Sequence, residues 1–132
     1  MKIPENIKEV LLNADGKALG TSSYGKINVV PVSTIKIVDD KIWLINYFMD
    51  KTLENILVNP EVSLTCWKKL VGYQIKAKVK YISDPNDNDL IQAKNFVAEI
   101  LPDRIVKGLL ILEPEEIFDI SADAERAGKK IN

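Results

Sequence analysis

Apolar residues at Ile3, Ile7, Val10 and Leu11 recur at helical spacing, with Pro4 near the first turn and Asn13-Ala14-Asp15-Gly16 as a stop. They predict a short amphipathic helix. Lys17 to Ser23 reads as a strand and Ser23-Tyr24-Gly25-Lys26 as a turn. Ile27 to Val38 reads as one strand broken at Pro31, whose missing N–H implies a bulge or an edge. After the turn at Asp39-Asp40-Lys41, Ile42 to Phe48 is apolar on both faces, which suits a strand covered on both sides. A helix follows, with Asp50 at its N-cap, an apolar stripe of Leu53, Ile56 and Leu57, and a stop at Asn59-Pro60.

Val62, Leu64 and Cys66 alternate with Ser63, Thr65 and Trp67 as a further strand. The cleanest alternation is the next: Tyr73, Ile75, Ala77, Val79 and Tyr81 against Gln74, Lys76, Lys78 and Lys80. One wet face points to an antiparallel sheet. A longer helix is expected from Asp87 to Leu101 around Leu90, Ala93, Phe96, Val97 and Ile100, closed by Pro102. Gly108–Leu112 and Glu115–Ile120 form a last strand region bent at Pro114; a polar tail follows from about residue 121 to 132, and Asp123 to Asn132 is expected to be loosely held. Many short antiparallel strands with few helices predict a mainly β protein, a small closed or split β-barrel.

Composition narrows the chemistry. The 132 residues make one domain, with 18 Lys and Arg against 19 Asp and Glu and a net charge of -1. There is no histidine and one cysteine. That excludes Ser-His-Asp and Cys-His machinery, His-ligated metals and haem, and an internal disulfide framework. Chemistry near neutral pH therefore calls for a borrowed cofactor. Met1 to Val10 has no apolar signal core, and the stretches Ile42–Ile45 and Leu109–Leu112 are too short to span a bilayer. The expectation is a soluble, cytoplasmic protein with no membrane partner. The stripe of Lys76, Lys78 and Lys80 lacks interleaved aromatics, so it reads as a solvated face that also blocks edge pairing rather than a nucleic-acid surface. Cys66 reads as a small core residue. The carboxylates around Asp84 and Glu113 read as turn and loop residues.

The helix start at Asp50-Lys51-Thr52 offers free N–H groups, a cation and a hydroxyl, which together suit a phosphate. Read alone, a capped surface helix with an exposed lysine is the simpler account. Upstream, Val30-Pro31-Val32-Ser33-Thr34 puts a rigid bend and two hydroxyls on a neighbouring strand, with backbone groups free for a flat, polar-edged ring. An ordinary bulged edge also accounts for it. Trp67 and Tyr73 flank the turn at 68–72, either as stacking or interface residues or as core residues at strand ends.

Taken in order, Pro31-Val32-Ser33, Ile42–Phe48, Asp50-Lys51-Thr52-Leu53-Glu54-Asn55, Asn59-Pro60-Glu61-Val62-Ser63-Leu64, Tyr73 to Val79 and Leu112 to Phe118 resemble the pyridoxamine 5'-phosphate oxidase-like FMN-binding split barrels. The resemblance runs from the first helix to Ile120. It implies a homodimer with FMN at the subunit interface. The phosphate would sit on Lys51 and Thr52 with help from Ser33. The ring edge would meet the backbone at Pro31, Val32, Asn46 and Tyr47. Trp67 and Gln74 would come from the adjacent or partner subunit. Lys51 stands where many relatives carry arginine, so a point charge replaces a bidentate clamp. The only arginines, Arg104 and Arg126, match no site motif, and Ala122–Lys130 lacks the arginine and histidine pattern of the pyridoxal-forming oxidases. The resemblance thus implies a small flavin-dependent oxidoreductase or electron-transfer protein with a small-molecule electron donor or acceptor, not a true pyridoxamine-phosphate oxidase. A non-catalytic flavin or deazaflavin carrier or sensor on the same barrel is the alternative.

Overall fold

The computed structural model describes residues 1–131. Its elements in chain order are α1 (Glu5–Asn13), β1 (Gly16–Ser23), β2 (Lys26–Pro31), β3 (Ile35–Val38), β4 (Lys41–Asn46), α2 (Lys51–Val58), β5 (Glu61–Lys68), β6 (Val71–Ile82), α3 (Asn88–Ile100) and β7 (Gly108–Asp119). The strands form one antiparallel sheet in the order β2-β1-β5-β6-β7-β4-β3.

That order forces the sheet to close on itself. Laid flat, seven strands would set the two edges about 29 Å apart at roughly 4.8 Å per strand. Yet β2 and β3 are those edges, and Val32–Thr34 joins them. The four steps from Pro31 to Ile35 span at most about 14 Å of extended chain. The sheet must curl, and the result is a split barrel. The Ile27–Val38 segment is therefore not one broken strand. Pro31 ends the ladder with β1, and the chain crosses the seam to the opposite edge.

The inner face holds the main core, including Leu19, Leu44, Leu64, Ile75, Leu110 and Leu112, with α1 adding Ile3, Ile7, Val10 and Leu11. A second cluster lies between the sheet and α3. Strand β4 serves both, with Ile42 and Leu44 turned inward and Trp43 and Ile45 toward Leu90, Ala93 and Val97. Its two-faced apolar pattern follows directly. Asp87 caps α3, accepting from the N–H groups of Asp89 and Leu90. Pro114 sits within β7, where the register against β6 slips between Lys76 and Ala77, so one bulged strand replaces two pieces.

Three expectations change. The helix α2 buries Thr52, Asn55 and Ile56 and leaves Leu57 67% exposed. Lys76, Lys78 and Lys80 are exposed, but β6 lies between β5 and β7, so they guard no edge. The tail is not loose over its described residues. Ile131 N–H donates to the Ile117 carbonyl, Gly128 N–H to that of Asp119, and Arg126 bridges to Asp119 at 3.0 Å. Among the described residues, no helix is long and apolar enough to cross a membrane.

Candidate functional site

A cavity of about 420 Å³ opens beside the seam, within the range of roughly 300–1,000 Å³ common for small-molecule sites. Three segments form it: the crossing at 30–34, the turn from Tyr47 into α2, and the loop after α3 that contributes Leu101 and Arg104. The crossing is fixed at its start, where Val32 N–H donates to the Lys17 carbonyl at 3.1 Å. Ser33 and Thr34 lie outside both ladders, so their backbone groups are not committed to strand pairing. The hydroxyls of Thr34 and Tyr47, 2.9 Å apart, are hydrogen-bonded across the gap.

Asn46 is the anchor of the turn. Its side-chain oxygen accepts from Met49 N–H at 2.8 Å, and its amide donates to the Tyr81 hydroxyl at 2.9 Å. Its backbone carbonyl accepts from Lys107 N–H at 2.9 Å, which ties in the end of the loop carrying Arg104. Gly108 is required beside it, because a Cβ there would fall 2.1 Å from the Tyr81 hydroxyl.

Polar contacts set the start of α2. Thr52 Oγ1 accepts from Asn28 on β2 at 3.0 Å. Asn55 accepts from the Ser23 hydroxyl at 2.7 Å and donates to that of Thr21 at 3.0 Å. Asp50 occupies the N-cap position without a side-chain capping bond. The first turn therefore meets the cavity uncapped by its own carboxylate. Lys51 is exposed and lies 2.7 Å from Glu54, whose hydrogen bond holds the ammonium above its ordinary pKa. Arg104 lies over the rings of Tyr47 (5.8 Å) and Phe48 (5.7 Å), and Lys107 over Phe48 at 5.8 Å. Phe48 is 76% exposed. The cavity thus joins a cationic helix start, a hydroxyl-bearing backbone bend and an aromatic wall. It can hold a phosphate at one end and a flat ring along the other.

Of the residues singled out in the sequence, Pro31, Val32, Ser33, Tyr47, Lys51 and Thr52 line this cavity. Asn46 stands behind it, 1% exposed, and acts through its side chain rather than by offering backbone to a ligand. Trp67 and Gln74 lie elsewhere in the same chain. Trp67 packs over Gly16, and Gln74 sits in the ladder between Thr65 and Phe118. Sequence reasoning missed Arg104, which does reach the site, and Phe48 beside it. The available signal was a cation two residues past the proline that closes a helix, Pro102-Asp103-Arg104. Cys66 is buried, and desolvation pushes its thiol up to about 11, so it is a core residue and not a nucleophile. Among the described residues, no cluster of Cys, Asp and Glu could hold a metal ion.

A split barrel with this seam defines the class, and the comparisons agree. Residues 3–121 match the family model for pyridoxamine 5'-phosphate oxidase, and the chain belongs to that family. It is 30% identical over 135 residues to the uncharacterized protein MJ0282 of Methanocaldococcus jannaschii, covering 99% of this chain and 89% of that protein. Its fold is similar to an FMN-binding protein from Syntrophomonas wolfei (TM-score 0.67, 15% identity, 89% of this chain and 84% of that one). It is also similar to HutZ, a heme storage protein from Vibrio cholerae (TM-score 0.69, 17% identity, 89% and 94%).

Proposed function

We propose that this protein is a homodimeric FMN-binding flavoprotein, a small cytoplasmic oxidoreductase that passes electrons between FMN and a small molecule. The observation that carries the reading is the seam cavity, where Lys51 and Thr52 at the start of α2 meet the Pro31–Thr34 crossing. Lys51, Ser33 and the first turn of α2 would hold the phosphate. The backbone of the crossing and Tyr47 would meet the polar ring edge, with Arg104 over the aromatic wall. FMN, when bound, supplies electron or hydride transfer at its own ring. The chain's part is to bind, orient and shield it, which suits a protein without histidine. The fold of HutZ raises haem as a competitor, but this chain has no histidine and its one cysteine is buried in the barrel.

The sheet surface supports the dimer. Pro31, Ala18, Thr65 and Gln74 lie side by side in register, as do Val29, Gly20, Ser63 and Lys76. Trp67 shares this outer face with Val29 and Ile27, which are 64% and 83% exposed. A second copy on this face would cover the apolar positions and bring Gln74 and Trp67 toward the partner's cavity.

The purified protein is expected to carry a flavin absorption band, release FMN on denaturation and sediment at twice 14.8 kDa. Lys51→Ala should weaken FMN about tenfold, the loss of one charge-assisted contact of roughly 1.4 kcal/mol. A colourless protein that ignores added FMN, or one that takes up haem with a Soret band instead, overturns the reading. Bound FMN that no electron donor reduces would leave a carrier or sensor.

A further inference from the structure

On the outer face of the sheet, a groove opens at the margin of the area that α3 covers. The register shows what lies there. Lys36, Trp43, Ile111 and Lys80 sit side by side across β3, β4, β7 and β6. Lys41, Glu113 and Lys78 line the cavity alongside, with Glu113 and Lys78 paired in register. A groove of about 400 Å³ runs over this strip, from Asp39 in the β3–β4 turn to Asp89 in the first turn of α3.

Two observations distinguish it from an ordinary wet surface. The first is Trp43, which forms part of the lining although it is only 3% exposed. Its indole N–H finds no partner among the described residues, yet it is not among the polar atoms sealed from water. The groove is where Trp43 meets the surface. A tryptophan buried to this degree usually has its N–H satisfied. The second is charge. Glu113 is already shared by Lys41 at 3.4 Å and the N-terminal ammonium at 3.9 Å. Lys78 has Glu115 only at 4.0 Å, and Lys80 has no carboxylate within ion-pair distance among the described residues. Lys80 and the loosely paired Lys78 thus stand on the sheet beside Ile111 and the buried Trp43. The unpaired carboxylates, Asp39 and Asp89, belong to the turn and the helix at the margins.

We propose that this groove is a second binding site, separate from the seam cavity, for a small aromatic carboxylate. The ring lies on Ile111 beside the edge of Trp43, an acceptor oxygen takes the indole N–H, and the carboxylate faces Lys78 and Lys80. The site requires no FMN, so it stands or falls independently of the flavin reading.

Trp43 itself reports occupancy. In a Trp67→Phe background it is the sole indole, and 1-naphthoate is the probe, with 1-naphthamide and 1-naphthylmethylamine as its neutral and cationic counterparts. The Trp43 indole N–H resonance of the unaltered chain gives the same readout by NMR. Naphthoate should perturb both signals saturably and bind about fivefold or more tightly than the amide, in keeping with two partly exposed charge contacts. The double variant Lys78→Ala/Lys80→Ala should bring naphthoate down to the amide's affinity with the melting temperature unchanged. Lys51→Ala should leave it as it was. Unsaturable quenching, equal affinity for acid and amide, tighter binding of the amine to Asp39 and Asp89, or sensitivity to Lys51 would each overturn the proposal.

Discussion

Asn46 carries three hydrogen bonds while 1% exposed, and each reaches a different part of the site: Met49 in the turn, Tyr81 on β6 and Lys107 in the loop after α3. Removing its side chain leaves two half-buried partners unmet. Asn46→Ala should therefore cost about 2 kcal/mol, two hydrogen bonds at roughly 1 kcal/mol each. Chemical denaturation should show the midpoint falling with an unchanged slope, and FMN titration of the folded variant should show weakened binding because Tyr47 and Lys51 lose their support. Unchanged stability would mean that water replaces the amide and the anchor is not needed. At this scale the sequence is informative where chemistry is local. Pro31 cannot continue a ladder, and Lys51 and Thr52 open a helix, so both could be placed before any fold was known. Arg104 could not, because its contact with Tyr47 and Phe48 depends on the path of a loop. Nor could the role of Asn46, whose partners Tyr81 and Lys107 are 35 and 61 residues away.

Elements show where pattern reading misleads. Thr52 and Asn55 on α2 and Asn59 at its C-cap recur at helical spacing and look like a wet stripe, but all three bond to the β1–β2 hairpin through Asn28, Thr21, Ser23 and Ser22. Because polar partners face them, the polar side is the docked side and Leu57 is left outside. The tail was misread for a related reason, since its ordering comes from residues it meets rather than from its own apolarity. Asp119 lies buried at its root. Burial alone would raise its pKa, but hydrogen bonds from Ser121 and Arg126 outweigh that and hold the carboxyl below the usual range. A carboxylate whose folded pKa is depressed stabilises the fold above its unfolded value, near 4, and that stability is lost as pH falls through the folded value. The tail should therefore release below about pH 4, seen as faster amide exchange at Gly128 and Ile131 ahead of the barrel strands. Arg126→Ala should move that release to higher pH. If tail and barrel amides exchange together at every pH, the latch is not a separate unit.

The whole molecule is governed by the seam. Alternating strands and their antiparallel character were legible in the sequence, but closure was not, because it depends on which strands become edges. A three-residue crossing between opposite edges makes the barrel and also places the seam cavity where the sheet has no ladder to hold it. The inner cluster takes in Val30, Val32, Ile35 and Ile56 at the seam, where the Thr34–Tyr47 and Thr52–Asn28 hydrogen bonds stand in for a ladder. A ligand that grips the crossing and α2 together adds a bond across the line where the sheet has none. Ligand that binds only the native state at 100 times its Kd stabilises by about 2.7 kcal/mol. For a domain of this size that corresponds to a rise of about 10 °C in Tm. Saturating FMN should produce such a rise, Lys51→Ala should cut it to a fraction at the same concentration, and riboflavin, which lacks the phosphate, should give little. If riboflavin and FMN raise Tm equally, the phosphate is not held at α2. The cavity would then bind through the ring end alone, at Tyr47, Phe48 and Arg104.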